Sequence, residues 1–351
     1  MATVVAAPQA PILPEDEGDF TSIPTIDISN IDSPSLDARK EISKEIYAAC
    51  TTTGFFYLEN HGLPEELLKE TFDAIKRFFA LDLDVKMEAH IHKNPAIRGY
   101  EPLFETKFDP RTQGDMKEAF SMGDCVIEPE QDYRGKTGRD PPAHITKPQN
   151  IWPPRAPFMR EAMYKYYKAI YPLAMKLVRI MALAFDQEET AFDKYFTFPI
   201  TGLRALHYPP APVESEIPTV GLGAHSDFSW LTMVLQGDVP ALEVLNKDGI
   251  WIDAPPKPNT FICNFVATVH RVRNRSGQER YSLPFFLSPD PDATLDVLDC
   301  CVDEGEKPNY EPALVGDLYI HRILLAHVKH PTSIKYRDVP KSEWKYELLY
   351  G

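Results

Sequence analysis

The chain of 351 residues contains no apolar run long enough to span a bilayer. Its opening stretch, MATVVAAPQAPILPEDEGDF, also lacks the basic start and long apolar core of a secretory signal peptide. Cysteine is scarce, and the five cysteines show no metal-like spacing. These absences argue against a membrane protein, a secreted disulfide scaffold and a cysteine metal site. They predict a cytoplasmic protein with reduced thiols.

Basic residues are also in short supply. The chain has 37 Lys and Arg against 52 Asp and Glu, which gives a formal net charge of −15. An acidic balance of this size argues against nucleic acid and anionic membranes as partners. We therefore expect a small-molecule ligand, and an anionic one would have to be held by local positive groups.

The apolar and aromatic content, 43% and 11%, is that of a globular protein with a sizeable core. Residues 1–22 are rich in Pro, Ala and acidic groups and are predicted to form a flexible N-terminal arm. Residues 23–200 are predicted to be mainly helical, because apolar residues recur at helical spacing. The predicted helices cover 36–50, with Ser33 or Ser35 as N-cap, then 65–81 and 155–185. Residues 88–155 are predicted to be irregular.

From about Leu203 the pattern changes to short alternating runs separated by turn signals. Asn246-Lys247-Asp248-Gly249, between ALEVL and IWIDA, is typical of a hairpin turn. Strands at this spacing favour an antiparallel sandwich, of which the jelly roll is the double-sheet version. We assign residues 201–331 to this core and 332–351 to a C-terminal tail.

His225 and Asp227 stand two residues apart in GLGAHSDF, just before an apolar strand. In an extended chain, residues i and i+2 face the same side, so an imidazole and a carboxylate share one direction. His270, in the apolar run FVATVHRV, is the best placed further histidine. Together the three would form a 2-His-1-carboxylate set, which leaves open positions on a non-haem Fe(II). The alternative for His270 alone is a satisfied core histidine.

Arg280 and Ser282 repeat the i, i+2 relation ten residues after His270. A guanidinium binds a carboxylate through two hydrogen bonds, and a serine hydroxyl adds a donor. The pair is a candidate clamp for a small dicarboxylate, and Tyr208 in HYPP is a further candidate donor. The alternative is a surface arginine beside a strand serine.

Several segments, in order, resemble a known family. They are IPTIDIS, GFFYLENHGLP and RGYEP in the N-terminal region, then LRALHYPP, HSDF, LEVLNKDGIWIDAPP and HRVRNRSGQERYSLPFF. This order resembles the iron(II)/2-oxoglutarate-dependent dioxygenases, in the branch similar to isopenicillin N synthase. The resemblance covers nearly the whole chain, roughly from Ile23 to Pro331.

The resemblance implies His225, Asp227 and His270 as Fe(2+) ligands. It implies Arg280 and Ser282 on the distal carboxylate of 2-oxoglutarate, with Tyr208 assisting. The implied fold is α+β, a distorted double-stranded β-helix (jelly roll) core with N-terminal helices packed around it. The implied reaction uses O2, with ascorbate as a candidate reductant, to hydroxylate, desaturate or cyclise a small organic molecule of specialised metabolism. Succinate and CO2 would be released.

The sequence departs from the family pattern between Thr260 and Arg273. This stretch, TFICNFVATVHRVR, has no Gly, Pro or Asp, although the family has a Gly-Asp turn and a further segment here. Strands usually run about 3–10 residues, so a sandwich would turn inside such a run. A one-residue slip would turn His270 to the other face. A shortened rim, a distorted site with weaker metal binding, and a truncated gene model or splice form all stay open.

Three alternatives to a 2-oxoglutarate oxygenase follow. One is an iron oxidase that does not use 2-oxoglutarate, in which Arg280 and Ser282 would hold the substrate's carboxylate. Another is a catalytically impaired binding protein, disabled by the shortened segment. A zinc hydrolase with the same ligands lacks an obvious general base. Residues 98–125 are either a pocket wall or an irregular surface loop; the substrate-pocket candidates are Arg98, Tyr100, Phe104, Lys117, Phe120 and Phe286.

Overall fold

The computed structural model describes residues 19–106, 114–123, 134–135, 138, 140, 150–210, 221–265, 268–302, 305–308 and 310–349. The N-terminal arm predicted over 1–22 lies outside this set apart from residues 19–22. The α-helices are α1 (Leu36–Thr52), α2 (Glu65–Phe79), α3 (Leu83–Lys86), α4 (Pro157–Ala184), α5 (Val315–Ala326) and α6 (Pro331–Lys335). Of the helices so described, none has the length and apolar character needed to cross a bilayer.

The strands follow in chain order. They are β1 (Thr25–Asp27), β2 (Phe55–Glu59), β3 (Gly99–Glu101), β4 (Glu118–Gly123), β5 (Ile200–Tyr208), β6 (Leu222–His225), β7 (Leu231–Gln236), β8 (Leu242–Leu245), β9 (Trp251–Asp253), β10 (Phe261–Asn264), β11 (His270–Val272), β12 (Arg280–Ser288), β13 (Thr294–Leu295) and β14 (Ala313–Leu314).

The three long helices form where the sequence predicts them. The Ser35 hydroxyl accepts the Ala38 backbone N–H and caps α1. Along α2, Leu68, Ile75 and Phe78 recur on one face and are buried. Helix α4 begins at Pro157, where a missing N–H costs nothing, and runs on through Pro172. Their apolar faces share one core with the outer face of a large sheet.

Two sheets build the rest of the core. The larger has the order β1-β2-β10-β7-β12-β5-β4-β3, and the smaller has the order β6-β11-β8-β9. A second apolar core, with Tyr57, Leu206, Val244 and Val272 among its members, contains residues of both sheets. The layers are therefore helices, large sheet and small sheet, which agrees with the predicted α+β double-sheet architecture.

Strands β3 and β4 lie in the stretch predicted to be irregular, so that prediction is wrong there. β4 pairs with β5 and β3 pairs with β4, which extends the large sheet. The alternation of apolar and polar residues that marks a half-buried strand is weak here, because β4 is buried on both faces and carries Glu118 inside the protein. Glu118 is held there by Lys86, Tyr100 and His207. Strands of residues 23–200 and 201–331 thus share one sheet.

The stretch 260–273, which has no Gly, Pro or Asp, contains two strands in different sheets. β10 lies between β2 and β7 in the large sheet. β11 lies between β6 and β8 in the small sheet. The large-sheet strand β10 ends at Asn264 and the small-sheet strand β11 begins at His270; residues 266–267 between them lie outside the described set. The two strands are therefore not the two arms of one hairpin.

The C-terminal tail packs against helix α5. Trp344, Tyr346 and Leu349 are buried in a cluster with Ile320 and Leu324 of α5. At the start of α6, the Nδ1 atom of His330 accepts a hydrogen bond from the Thr332 backbone N–H. The Nε2–H of His330 donates to the Ile91 carbonyl at 2.9 Å. This hydrogen-bond pattern requires a neutral imidazole, because a protonated Nδ1 cannot accept.

We expect the free energy of unfolding to fall as the pH drops from about 6.5 to about 4. Burial lowers the pKa of His330 from 6.5 to about 4; the hydrogen bond to the Ile91 carbonyl opposes this shift, as does Glu105, while His92 and His327 add to it. The unfolded chain therefore takes up a proton at higher pH than the native state, which costs about 3 kcal/mol over the window. Urea unfolding of wild type and His330→Gln at pH 7.5 and 5 tests this. The variant should show a smaller pH effect, and His321→Gln should behave like wild type.

Candidate metal centre

His225, Asp227 and His270 meet at one end of the small sheet. His225 is the last residue of β6, Asp227 follows two residues later, and His270 is the first residue of β11. Because β6 and β11 are antiparallel neighbours, His270 is paired directly with His225. The register thus brings both imidazoles to the same side, and their ring centroids are 4.3 Å apart.

The three side chains form a compact donor set. The Asp227 Oδ1 atom lies 3.8 Å from the Nε2 atom of His225 and 3.8 Å from that of His270. One ligand atom from each residue lies within 4.8 Å of the other two, as a single metal ion requires. Two imidazoles and one carboxylate on one side are the donor set of non-haem Fe(II) centres with open positions.

Hydrogen bonds orient both histidines for metal binding. The Nδ1–H of His225 donates to the Gly223 carbonyl at 2.8 Å, and that of His270 donates to the Thr268 carbonyl at 3.0 Å. A carbonyl only accepts, so each Nδ1 carries the proton and each Nε2 carries the lone pair. Backbone carbonyls on the outer nitrogen are the usual support of a ligating histidine. The residues present therefore fit a divalent iron.

The ionisation states also suit a metal. Burial, aided by the neighbouring His270, lowers the pKa of His225 to about 4. Burial by itself would raise the pKa of Asp227, but His270, His225 and hydrogen bonds to its carboxylate outweigh burial and lower it. At neutral pH the site therefore offers a neutral imidazole and a carboxylate, the forms that coordinate a metal.

Two further residues fix the Asp227 carboxylate. Its Oδ2 atom accepts the Thr232 hydroxyl at 2.7 Å and the Asn264 side-chain N–H at 3.2 Å. Both partners are buried. The Oδ1 atom is thereby turned towards the two imidazoles. Asn264 is the last residue of β10. A residue of the large sheet therefore orients a carboxylate of the candidate metal centre, whose two histidines belong to the small sheet.

We expect Asn264→Ala and Thr232→Val each to weaken Fe(II) binding by about 10-fold or more. Each change removes one hydrogen bond that orients the carboxylate, and loss of such support typically costs 10–100-fold in metal affinity. Anaerobic calorimetric titration with Fe(II) measures the effect. Thr294→Val, the same change at an exposed site on β13, should bind like wild type. Unchanged affinity in both site variants would contradict the orienting role.

A second group of potential ligands, His90, His92 and Glu105, lacks this orientation. The His92 Nε2 atom is hydrogen-bonded to the Glu105 carboxylate at 2.6 Å. The His90 Nδ1 atom accepts the His92 backbone N–H, so its Nε2 carries the proton in the neutral ring. The first group is therefore the better metal centre.

The buried guanidinium of Arg280 lies in the same cavity as His225, Asp227 and His270, called the triad below. Arg280 and Tyr208 are each 1% exposed, and the strands β12 and β5 pair them directly. The guanidinium stacks on the Tyr208 ring at 4.9 Å and donates to Ser282 Oγ and Gln236 Oε1, both at 3.2 Å. Within the described part of the chain, the Arg280 Nε and the Tyr208 hydroxyl have no hydrogen-bond partner. Unsatisfied buried donors beside a cation suit an anion.

The substrate-pocket candidates divide into two groups. Arg98, Lys117 and Phe286 line the cavity that contains the triad and Arg280. Tyr100 and Phe120 do not; they pack with Phe78 in the core beneath the helices. Phe104 also lies outside the lining, in a turn with a positive φ of 62°. Tyr100, Phe104 and Phe120 are therefore not among the described residues that line this cavity.

The cavity also contains residues that the sequence analysis missed. Arg204 and Leu206 precede Tyr208 on β5 at i, i+2 spacing, and this relation could have placed Arg204 on the same wall. Phe228 follows Asp227 directly. Helix α5 contributes Tyr319, Ile323 and Ala326, and His327 follows directly after the helix. No local signal in the sequence connects that helix to the site, because its position depends on tertiary packing.

Two family models match the chain. Residues 23–155 match the N-terminal domain of non-haem dioxygenases in morphine synthesis, and residues 199–289 match the 2OG-Fe(II) oxygenase superfamily. A 2-oxoglutarate-Fe(II) type oxidoreductase, hxnY, of Emericella nidulans is 34% identical over 319 residues, 85% of this chain and 88% of that protein. The homoarginine-6-hydroxylase 2-ODD-C23 of Glycine max is 34% identical, over 80% of this chain and 89% of that protein.

Solved structures agree in fold. A putative 2OG-Fe(II) oxygenase family protein from Caulobacter crescentus matches with a TM-score of 0.71 and 26% identity, over 87% of this chain and 99% of that one. A full-length Neurospora crassa protein in complex with alpha-KG matches with a TM-score of 0.72 and 23% identity, over 86% and 96% of the two chains. The predicted double-stranded β-helix with N-terminal helices is confirmed. The chain belongs to the 2OG-Fe(II) oxygenase superfamily, as its sequence motifs predict.

Proposed function

We propose that His225, Asp227 and His270 hold the Fe(2+) of a 2-oxoglutarate-dependent oxygenase that oxidises a small organic molecule. The observation that carries this proposal is the donor set itself. Three ligand atoms lie within 4.8 Å of one another, and both imidazoles are locked with their lone pairs on the Nε2 atoms. We propose residues 201–331 as the oxygenase core, with 23–200 packed around it and 332–351 as its tail.

We propose Arg280, Ser282 and Tyr208 as the residues that bind the distal carboxylate of 2-oxoglutarate. Arg280 is almost fully buried, and a buried guanidinium without a carboxylate is costly. A carboxylate placed there would accept charge-assisted hydrogen bonds from the guanidinium and further bonds from the two hydroxyl groups. All three residues line the cavity of the triad, so the rest of the molecule would extend towards the metal.

The chain positions the reactants and keeps water out. Bound iron and 2-oxoglutarate supply O2 activation; in a hydroxylation, one O2 and one 2-oxoglutarate give the hydroxylated product, succinate and CO2. Phe55 packs edge-on against the His270 ring at 5.1 Å, and Leu206, Leu222 and Val272 line the same cavity. These apolar groups exclude water around the metal ligands, which strengthens their electrostatic interactions.

The outcome of the reaction depends on the substrate side of the cavity. Hydroxylation, desaturation and ring formation start from the same centre, and we propose a substrate from specialised metabolism. The N-terminal family model, that of dioxygenases in morphine synthesis, supports this choice. A cytoplasmic location, where thiols stay reduced, fits the odd number of cysteines.

Anaerobic titration with Fe(II) and then 2-oxoglutarate tests the proposal. We expect the metal-to-ligand charge-transfer band of the iron complex with 2-oxoglutarate, and succinate on admission of O2. Folded protein that binds Fe(II) without forming the band would favour an oxidase that does not use 2-oxoglutarate. Folded protein that binds no Fe(II) would favour an impaired binding protein. The names of the relatives support use of 2-oxoglutarate.

A further inference from the structure

Gln236, the last residue of β7, lies behind the guanidinium of Arg280. Its Oε1 atom accepts the Nη2–H of Arg280 at 3.2 Å, and its Nε2–H donates to the Ala254 carbonyl at 3.3 Å. Among the described residues, the lining of the cavity includes Arg280 but does not include Gln236. Gln236 therefore acts on a ligand in the cavity through Arg280.

The two partners fix the direction of the Gln236 amide. A guanidinium only donates hydrogen bonds, and a backbone carbonyl only accepts them. The amide oxygen must therefore face Arg280, and the amide nitrogen must face Ala254. Ala254 is fully buried, and its own N–H donates to the Leu242 carbonyl of β8 at 2.9 Å. The small sheet thus holds the residue that orients the amide.

Strand register brings Gln236 to Arg280. β7 and β12 are antiparallel neighbours, and Gln236 is paired directly with Ser282. Arg280 and Ser282 share one face of β12 because they stand two residues apart. The Nη1–H of Arg280 donates to Ser282 Oγ at 3.2 Å, so its two Nη atoms have separate acceptors on neighbouring strands. The plane of the guanidinium is thereby fixed.

Both acceptors of Arg280 are neutral. Among the residues that the structure describes, none pairs a carboxylate with this guanidinium; its contacts are a hydroxyl, an amide and the ring of Tyr208. Burial lowers the pKa of Arg280, and Tyr208 opposes this shift. Arginine nevertheless keeps its proton in proteins, so a full positive charge is buried at 1% exposure. A buried charge without an opposite charge is costly, and a bound carboxylate removes this cost.

Two other arginines on neighbouring strands are satisfied differently. Arg204 on β5 pairs with Glu101, and Arg271 on β11 pairs with Glu243. Each of these guanidinium groups has a carboxylate of the chain itself. At Arg280, which is more deeply buried, an uncharged amide of nearly the same shape as a carboxylate takes that place. Gln236 therefore leaves the charge of Arg280 available.

One face of β7 serves both ends of the proposed site. Thr232, Val234 and Gln236 alternate along it. The Thr232 hydroxyl donates to Asp227, Val234 lines the cavity, and Gln236 accepts from Arg280. Thr232 and Gln236 are four residues apart, about 13 Å along the strand. A single strand thus orients a proposed metal ligand at one end and the guanidinium at the other.

We propose that Gln236 is a positioning residue for the 2-oxoglutarate site and makes it selective for a carboxylate at the distal end of the co-substrate. The amide orients the two Nη atoms of Arg280 and, because it is uncharged, leaves the positive charge for the ligand. A carboxylate in the place of this amide would also accept from the guanidinium but would neutralise it. This inference rests on the proposed function, in which Arg280 binds 2-oxoglutarate.

Two variants separate orientation from charge. Gln236→Met removes the acceptor, whereas Gln236→Glu keeps an acceptor and adds a negative charge. Each protein is loaded anaerobically with Fe(II) and titrated calorimetrically with 2-oxoglutarate and with its 5-methyl ester. The ester keeps the 2-oxo acid end and lacks the distal charge. The charge-transfer band is recorded on the samples with 2-oxoglutarate.

We expect wild type to bind 2-oxoglutarate at least about 10-fold more tightly than the ester, since charge-assisted hydrogen bonds are the stronger ones. Gln236→Met should raise the Kd for 2-oxoglutarate about 10-fold, because Arg280 loses one acceptor, and should still prefer it to the ester. Gln236→Glu should raise that Kd at least about 30-fold and lose the preference, because two carboxylates then share one guanidinium. A merely structural role would raise both Kd values together and leave their ratio unchanged.

Gln187→Glu is the matched control, because the exposed Gln187 also donates its amide N–H to a backbone carbonyl, that of Phe185 at 3.0 Å. It should behave like wild type, and Fe(II) affinity should be preserved in all variants. An unchanged Kd for 2-oxoglutarate in Gln236→Met, or a preference retained in Gln236→Glu, overturns the inference while an intact charge-transfer band in wild type shows that the proposed function stands. Wild type that binds Fe(II) without forming the band overturns both.

Discussion

His270→Ala is expected to abolish measurable Fe(II) binding and, with it, oxygenase activity. His270 supplies one of three proposed protein ligands, and the loss of a supporting residue alone typically costs 10–100-fold in metal affinity. Removal of a ligand should therefore cost at least about 100-fold. The measurement is anaerobic calorimetry with Fe(II), followed by the charge-transfer band with 2-oxoglutarate.

The control for His270→Ala is His321→Ala, a histidine on α5 that donates to the Lys341 carbonyl. It should bind Fe(II) like wild type. Thermal unfolding without metal verifies that His270→Ala still folds, since the ring also packs against Phe55. Full Fe(II) affinity in folded His270→Ala would show that the metal does not bind at this triad.

Arg280→Gln is expected to raise the Kd for 2-oxoglutarate by at least about 30-fold. Truncating one partner of a buried, hydrogen-bonded charge pair costs 2–5 kcal/mol or more, and the lower limit corresponds to this factor. Glutamine keeps a polar group but loses the charge and the planar fork. Anaerobic titration of the Fe(II)-loaded protein with 2-oxoglutarate, monitored by the charge-transfer band, gives the Kd.

Arg271→Gln is the matched control for Arg280→Gln. Arg271 stands on β11 next to His270, but its guanidinium pairs with Glu243 and stacks on Trp251, and it is absent from the cavity lining. Its removal should leave the Kd for 2-oxoglutarate unchanged, and Fe(II) affinity should be preserved in both variants. If 2-oxoglutarate binds Arg280→Gln as tightly as wild type, the guanidinium serves another carboxylate, as in the oxidase alternative.

Local pattern was enough to predict the long helices and the motifs. Helical periodicity identified α1, α2 and α4, and the i, i+2 relation paired Arg280 with Ser282 on β12. The family resemblance is confirmed over most of the chain. Strands β3 and β4 were missed because a strand that is buried on both faces, with a charged group inside, shows no alternation.

The sequence by itself determined the chemistry of the proposed metal site: which imidazoles and which carboxylate are available. It left the position of His270 open, because strand register depends on pairing with residues distant in the chain. Only the tertiary structure decided that the run 260–273 crosses between two sheets and pairs His270 with His225. It alone also brought Arg98, Lys117 and Arg204 to one cavity, since they come from separate segments that meet through the pairing of β3, β4 and β5.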